Sequence, residues 1–353
     1  MFAGKREKTL KSPHDLSPPF RKRSAMQPIY RRCRMLLACL LASCTGHWTQ
    51  PQVMPATRVA APSLAKHRRA APLTELANLD YSSGTITVFT IQNNKATVKA
   101  QFTPGGGYAQ GIAMDRHGLI YTTISAPGSN PCAACVAVFT DSGKPVAQLP
   151  APILPGAPGA PSLTDVSVDA QHNVYVSDYG QQAVYFYSGL ERTGAAPTVI
   201  VQQSQNAASV LATPSGANVL VSGGCGFASV RPYTRVTRGH YQQGSCFGIG
   251  TIALIGGAVD EALETFTPVD GVFGAVSVSS PKGGTIFYTP DLPYASISGV
   301  ALNHDASVAY VANAHKQCVY AFARPAKGWL LGGEPMVVAT YKGFKNLDII
   351  AAP

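Results

Sequence analysis

A recurring unit of short, alternating runs constrains the fold of this chain more than any other feature. Its best-preserved copy runs from Asp165 to Gly189 and contains three runs in which apolar and polar residues alternate, separated by two tight turns. Alternation with a period of two is typical of β-strands, because successive side chains point to opposite faces of a sheet. The segment that begins at Asp115 has the same spacing as the segment that begins at Asp169, 54 residues later, and weaker copies begin at Pro214 and His304.

The composition agrees with an all-β class. Of the 353 residues, 46% are hydrophobic and 13% are charged, and the chain contains 34 Gly and 27 Pro, which is typical of a globular, turn-rich protein. Few segments show helical periodicity, whereas β-branched and aromatic residues fall in short runs bounded by Gly, Pro, Asn and Asp. The sequence therefore predicts an all-β fold.

Repeats of about 40 to 55 residues that consist of short strands are typical of the blades of a β-propeller. The run Leu347–Ala351 is predicted to be an inner strand, and the runs Gly84–Phe89 and Lys95–Phe102 to be outer strands of the same blade, so that strands from the two ends of the chain close the ring. Only 24 residues separate the last two inner strands before the closing one, which leaves five blades as the alternative to six. The inner strands are predicted near residues 112, 166, 211, 276, 300 and 349.

The best copy also carries the pattern Tyr-Val-x-Asp-x-Gly-x-x-x-Val from Tyr175 to Val184. In this pattern the chain resembles the bacterial propellers of the NHL-repeat type, over most of residues 76 to 353. The resemblance implies a closed propeller, but it implies no particular activity, because one fold of this kind hosts many functions.

Positive charge is concentrated at the amino-terminal end of the chain. Residues 1 to 70 carry 14 Lys and Arg against 2 acidic residues, a net charge of +12, whereas the remaining residues carry 14 against 16, a net charge of −2. A nearly neutral body argues against a nucleic-acid partner.

The same end contains an export signal. Basic residues 31 to 34 precede an apolar core of eight residues, Met35 to Ala42, which is too short to span a bilayer as a helix. Leu41-Ala-Ser-Cys44 resembles the bacterial lipoprotein signal, in which the Cys becomes lipidated; a chance Cys in an ordinary signal peptide is the alternative. We expect a signal in residues 1–43, with Met26 as a possible true start, a Pro- and Ala-rich tether in 44–75, and the propeller in 76–353, anchored by lipid at the bacterial cell envelope.

Polar residues at the strand ends are predicted to surround one mouth of the channel. Adjacent antiparallel strands bring the start of an inner strand and the end of the next strand to the same edge of the sheet. Asp165 and Asp178 could supply oxygen ligands to Ca²⁺ or another divalent cation, as in the gluconolactonase-like propellers, which this group of residues resembles; strand-end capping or buried water is the alternative. Histidines in the turns of different blades are expected to lie too far apart to share a metal. The residues predicted at this mouth are Gln110, Asp165, Asp178, Asn313 and Asn346.

An insertion, Gly223 to Gly248, is predicted between the second and third strands of the degenerate copy, and it should stand over the same mouth. Aromatic and Arg side chains on a long loop suit sugars, carboxylates or an acidic protein, although a solvated hairpin is an equal alternative. The candidate ligand-binding residues in this segment are Arg231, Tyr233, Arg235, Arg238 and Tyr241.

Four cysteines are predicted to form two local disulfides. Cys225 and Cys246 flank the insertion, and in an oxidising compartment they would close its base. Cys132 and Cys135 lie in a loop that is followed by a strand, which favours a disulfide over the helix-borne redox motif. Cys318 lies inside a strand and is predicted to be a buried thiol.

We therefore predict a monomeric β-propeller lipoprotein that binds an envelope protein, a sugar or a small molecule, with no required cofactor. The alternative is a metal-dependent lactonase-like hydrolase or lyase that uses the same mouth. The sequence does not settle whether the protein is an enzyme, and it favours a binding module, because no other catalytic constellation stands out.

Overall fold

The computed structural model describes part of one compact unit, Lys66–Pro353. The predicted signal, Cys44, the tether to residue 72 and Cys132 lie outside the described residues. The described residues are 73–105, 109–125, 134–189, 196–202, 207–223, 225, 228–249, 256–269, 275–283, 285–288, 296–325, 329 and 336–353.

All regular structure within these ranges is β-strand, and no helix there is long and apolar enough to cross a membrane. The strands are β1 Glu75–Asp80, β2 Thr85–Gln92, β3 Lys95–Phe102, β4 Ala109–Met114, β5 Ile120–Ile124, β6 Cys135–Phe139, β7 Pro145–Pro150, β8 Leu163–Val168, β9 Val174–Asp178, β10 Ala183–Tyr187, β11 Thr198–Gln202, β12 Val210–Ala212, β13 Asn218–Ser222, β14 Ser229–Thr237, β15 His240–Gln243, β16 Phe247–Gly248, β17 Ala258–Val259, β18 Thr265–Val269, β19 Ala275–Ser279, β20 Thr285–Tyr288, β21 Ile297–Leu302, β22 Val308–Asn313, β23 Cys318–Ala323, β24 Met336–Lys342 and β25 Ile349–Ala351.

The strands form antiparallel sheets that follow the order of the chain. Four of these sheets are β4-β5-β6-β7, β8-β9-β10-β11, β12-β13-β14-β15 and β17-β18-β19-β20. The remaining sheet has the order β21-β22-β23-β24-β3-β2-β1-β25, and its two halves meet through one parallel contact between Lys342 and Lys95. In its second half β25 pairs antiparallel with β1, with Ala351 opposite Ala77.

The inner strand of each four-stranded group contacts the inner strands of its neighbours. β4 contacts β8, and the contacts continue from β8 to β12, β17, β21 and β25 and from β25 back to β4. The inner strands run in one direction, so their ends and the hairpin turns that follow them lie on one side of the domain. We call this side the turn side, and the side where the inner strands begin the start side.

Burial explains why the middle strands are so apolar. β5, β9 and β10 are buried along their whole length, because neighbouring sheets cover both of their faces. One shared core joins the sheet of β4 to that of β8 and includes Tyr121, Val138, Val166 and Val176. The outermost strands β3 and β7 are covered on one face only and expose most of their residues.

The inner strand predicted near residue 276 is wrong. Residues 275–279 form β19, the third strand of its sheet, whereas the inner strand is β17, Ala258–Val259. The predicted spacing of 24 residues is too short because it was measured from β19, which is a third strand, to β21, which is the next inner strand. β17 contains only two residues, which is too short for any alternating pattern to reveal it.

The prediction that Gly223–Gly248 forms an inserted loop is also wrong. Half of it forms β14 and β15, which are the third and fourth strands of their sheet, and Asn218 to Ser222 of β13 pair with Thr234 to Val230 of β14. The disulfide Cys225–Cys246 joins the segment before β14 to the segment before β16. Cys135 is also disulfide-bonded, to a residue outside the described ranges, and Cys318 is a buried thiol.

Candidate functional site

A cavity of about 160 Å³ lies between the inner strands and reaches the turn side. Its wall consists of the later residues of each inner strand, from Asp165 to Asp169 in β8 and the turn after it, for example. Ile112, Val168 and Leu302 contribute to the apolar part of this wall, and about half of the wall is polar. The cavity has room for several water molecules or for a small organic molecule.

The hairpin turns at the mouth of this cavity are built by one repeated device. Asp115 accepts hydrogen bonds from the backbone amides two and four residues later, and Asp169 and Asp260 do the same in their own turns. Such bonds fix the turn without help from the rest of the fold. Asp115 and Asp169 therefore each fix a hairpin turn, and Asn303, one residue before His304, begins the corresponding turn after β21.

The residue three positions into each of these turns has a positive φ. At Gly216, φ is +63°, and a Cβ there would lie 2.2 Å from Asp169 Oδ2 and 2.6 Å from the Tyr175 hydroxyl oxygen. The equivalent residue in the preceding sheet is His172, with φ of 60°. A side chain in this conformation is strained, yet Leu263 and Ala306 occupy the same position of their own turns with positive φ, as His172 does.

The contacts of His172 correct the expectation that histidines of different blades lie far apart. Its Nδ1 is 2.8 Å from Oδ2 of Asp115, and its ring stacks on that of His117 with centroids 4.8 Å apart. Arg116 donates from Nε to Nε2 of His117 at 3.2 Å. The turns of two adjacent sheets therefore bring four polar side chains together beside the cavity. Within the described residues, however, no group of three or more His, Cys, Asp or Glu is arranged to hold a metal ion.

Asp165 is the predicted mouth residue that lines the cavity. It is 5% exposed, its Oδ1 accepts the amide of Val166 at 2.9 Å, and its Oδ2 accepts the amide of Val210 in the neighbouring inner strand at 3.2 Å. Burial raises the pKa of Asp165 to about 8 even though these two amides favour the charged form. The carboxyl is therefore largely protonated at neutral pH. Gly111 allows this arrangement, because a Cβ there would lie 2.7 Å from the Cα of Asp165.

The other residues predicted at the mouth lie on the start side, away from the wall of the cavity. Asp178 is buried and caps its strand: Oδ1 accepts the amides of Ser162 and Gln181, and Oδ2 accepts the Tyr185 hydroxyl at 2.8 Å. Asn313 is buried and accepts the amide of Lys316 in the same way. These contacts match the capping alternative. Gln110 begins β4 and is half-buried, and Asn346 precedes β25 and is exposed.

Arg235, Arg238 and Tyr241 of the predicted insertion do not stand over the start side. Arg231, Tyr233 and Arg235 lie in β14, Tyr241 lies in β15, and Arg238 lies in the turn between these strands. Arg235 donates to the carbonyl oxygen of Ser215, and Tyr241 donates to that of Gly216, so both side chains brace a hairpin on the turn side. The predicted placement is corrected because the segment forms strands that run the length of the sheet.

Sequence reasoning missed a cluster of ionised groups after β17. Arg324 Nη2 lies 3.1 Å from Oδ2 of Asp260 and 3.3 Å from Oε2 of Glu264. Burial raises the pKa of Asp260, and the negative charge of Glu264 adds to the effect. A signal was present in the sequence: Phe266 follows Asp260 at the same spacing at which Tyr175 follows Asp169.

Comparison with known proteins identifies the fold and not the family. Neither a protein-family profile nor a curated protein matches the sequence. Solved structures with a similar fold include the nidogen/laminin complex, at 14% identity and a TM-score of 0.51 over 78% of this chain and 97% of that chain. A protein from Lactobacillus plantarum has 10% identity and a TM-score of 0.50 over 79% of this chain and 99% of that chain.

The chain has a β-propeller fold. The periplasmic gluconolactonase of Pseudomonas aeruginosa is 12% identical, with a TM-score of 0.48 over 76% of this chain and 81% of that chain, and this likeness is too low to carry an inference about activity. The finer resemblance to NHL-repeat propellers stays a prediction.

Proposed function

We propose that this propeller is a binding module and that it holds a small organic ligand in the axial cavity, entered from the turn side. The observation that carries the proposal is the cavity itself, of about 160 Å³, enclosed by the inner strands and bordered by the hairpin turns. Concave, mostly apolar sites with a few polar groups are the usual form of small-molecule sites. The proposal moves the site from the start side, where the sequence placed it, to the turn side.

The proposal includes six blades that close through the pairing of β1 with β25. The chain of contacts between inner strands supports six, since it passes through β4, β8, β12, β17, β21 and β25 before it returns to β4. A closed ring explains why the cavity is bounded on all sides and why no inner strand is an open edge.

Binding has more support than the metal-dependent hydrolase. Both oxygens of Asp178 accept hydrogen bonds from protein donors, and those of Asp165 accept backbone amides. A cation at these residues would have to displace those donors and ionise Asp165. Such a site would bind metal poorly at neutral pH and better as the pH rises toward 8.

A fragment screen by saturation-transfer NMR tests the cavity. We expect the wild type to bind small organic fragments and Ala113→Leu, which places a larger side chain on the cavity wall, to lose them. Ala262→Leu is the matched control, because Ala262 is exposed outside the cavity and should bind as the wild type does. If no fragment binds, or if both variants bind equally, the cavity is not the site.

We also propose that the protein is exported and anchored at the bacterial envelope through Cys44. The lipoprotein-like sequence before Cys44 and the disulfide Cys225–Cys246, which suits an oxidising compartment, support this location. Labelling of cells with a radioactive fatty acid should mark the wild type and not Cys44→Ala. Equal labelling of both proteins, or of neither, would contradict it.

A further inference from the structure

The rim of the axial cavity is electrically asymmetric. Among the described residues that line it, Arg116 alone carries a permanent positive charge. The Arg116 side chain is exposed, and within the described part of the chain its single hydrogen bond is the one from Nε to His117. Its two Nη groups therefore have no carboxylate partner there. An unpaired guanidinium fork at the mouth of a cavity suits a carboxylate or phosphate group.

The acidic residues at the rim do not compete for that fork. Oδ1 of Asp115 accepts two backbone amides, and Oδ2 contacts the Tyr121 hydroxyl and His172. Asp169 likewise accepts hydrogen bonds from two backbone amides of its own turn, from the Asn173 side chain and from the Tyr175 hydroxyl. These carboxylates are held by their hairpins, so Arg116 remains available to a ligand.

The cavity wall is about half apolar and its polar side chains are already engaged, so the interior suits an uncharged body. Asp165 at the deep end is largely protonated at neutral pH and does not repel an anion. Ser167 and Asp165 both accept backbone amides of β12, so these side chains are already engaged. From Asp165 to Asp169 the strand rises about 13 Å, which leaves depth for an extended chain and little width.

We propose that the turn-side mouth binds the carboxylate of a small amphipathic monocarboxylic acid on the Arg116 fork, with the apolar tail of the acid in the axial cavity. This inference rests on the proposed function, and it adds the chemical class of the ligand. A phosphate head would reach the same fork. The carboxylate is favoured because a single Arg with no second cation on the described rim matches one negative charge.

Isothermal titration of the full-length protein with octanoate and with octanamide tests the inference. We expect the wild type to prefer octanoate and Arg116→Gln to weaken octanoate by about ten- to a hundredfold, the usual contribution of hydrogen bonds to a charged group. Octanamide should bind both proteins equally. Lys144→Gln is the control, because Lys144 is an exposed cation between β6 and β7 outside the cavity wall and its loss should change neither ligand.

The outcomes separate this inference from the proposed function. If fragments bind the wild type and not Ala113→Leu, yet octanoate binds no better than octanamide or Arg116→Gln loses nothing, the cavity is a site and the carboxylate assignment is wrong. If neither octanoate nor any fragment binds, both proposals fail. Stronger binding of octyl phosphate than of octanoate, or binding of the peptide acid acetyl-Leu-Leu-Leu without binding of octanoate, would also overturn the assignment.

Discussion

Replacement of Asp165 by Asn should remove most of the pH dependence of stability between pH 5 and pH 7. In the unfolded chain this carboxyl titrates near its ordinary value of 3.8, whereas in the folded protein it holds its proton until about pH 8. Unfolding therefore releases a proton in the interval between these values. The free energy of unfolding falls as the pH rises, by about 1.4 kcal/mol per pH unit.

Over the two units from pH 5 to pH 7, the wild type should lose about 3 kcal/mol through this group alone. Asn cannot ionise, so the difference in stability between Asp165→Asn and the wild type should shift in favour of the variant by about that amount. The two carboxyl oxygens of Asp165 each accept a backbone amide, whereas Asn has only one carbonyl oxygen. The variant therefore loses one hydrogen bond, which lowers its stability by about 1 kcal/mol at every pH. The shift with pH therefore reports the titration.

Urea unfolding at pH 5, 6 and 7, followed by the fluorescence of the buried Trp329, measures these differences. Asp305→Asn is the control. Hydrogen bonds from Ser307 lower the pKa of the exposed Asp305, so it titrates below this interval and its effect should be constant from pH 5 to pH 7. Parallel pH profiles for Asp165→Asn and the wild type would refute a raised pKa at this site.

Three further variants test the hairpin contacts and the disulfide. Gly216→Ala places a Cβ 2.2 Å from a carboxylate oxygen and should cost about 1–3 kcal/mol more than Gly189→Ala, which has a similar φ of +68° and nothing within 4 Å; equal losses in urea unfolding would show that the contact relaxes. His172→Asn keeps a residue that tolerates positive φ and removes the contact with Asp115, so thermal unfolding should show a loss of about 1.5–3 kcal/mol; unchanged stability would show that the pair contributes nothing. Cys225→Ser opens a disulfide that spans 21 residues and should lower stability by about 3 kcal/mol, a difference that dithiothreitol should abolish.

The all-β class could be predicted because the best copies keep local signals. The segments that begin at Asp115 and Asp169 have alternation before the turn, a turn-forming Asp and an aromatic residue six positions later. The copy at Asp260 was missed because its inner strand is only two residues long. Outer strands such as β14 are half exposed, so Arg231 and Arg235 made a strand look like a loop.

The candidate site could be predicted only in part. Asp165 was identified from its place at the start of an inner strand, and it does line the cavity. The stacking of His172 on His117 depends on how closely the turns of two neighbouring sheets approach each other. The spacing of residues within one repeat gives no information about that distance. Arg116 lies in a hairpin turn, where polar residues are common. Nothing in the sequence therefore indicated that its side chain lies at the rim of the cavity.

The pairing of β1 with β25 has a consequence for biogenesis. Asn78 donates to the carbonyl oxygen of Asn346, 268 residues later in the chain, and the amide of Asp348 donates back to Asn78. During synthesis β1 has no partner on this edge until nearly the whole domain has been made, and closing so long a loop is slow. A nascent chain thus carries a strand with an unpaired edge for most of its translation.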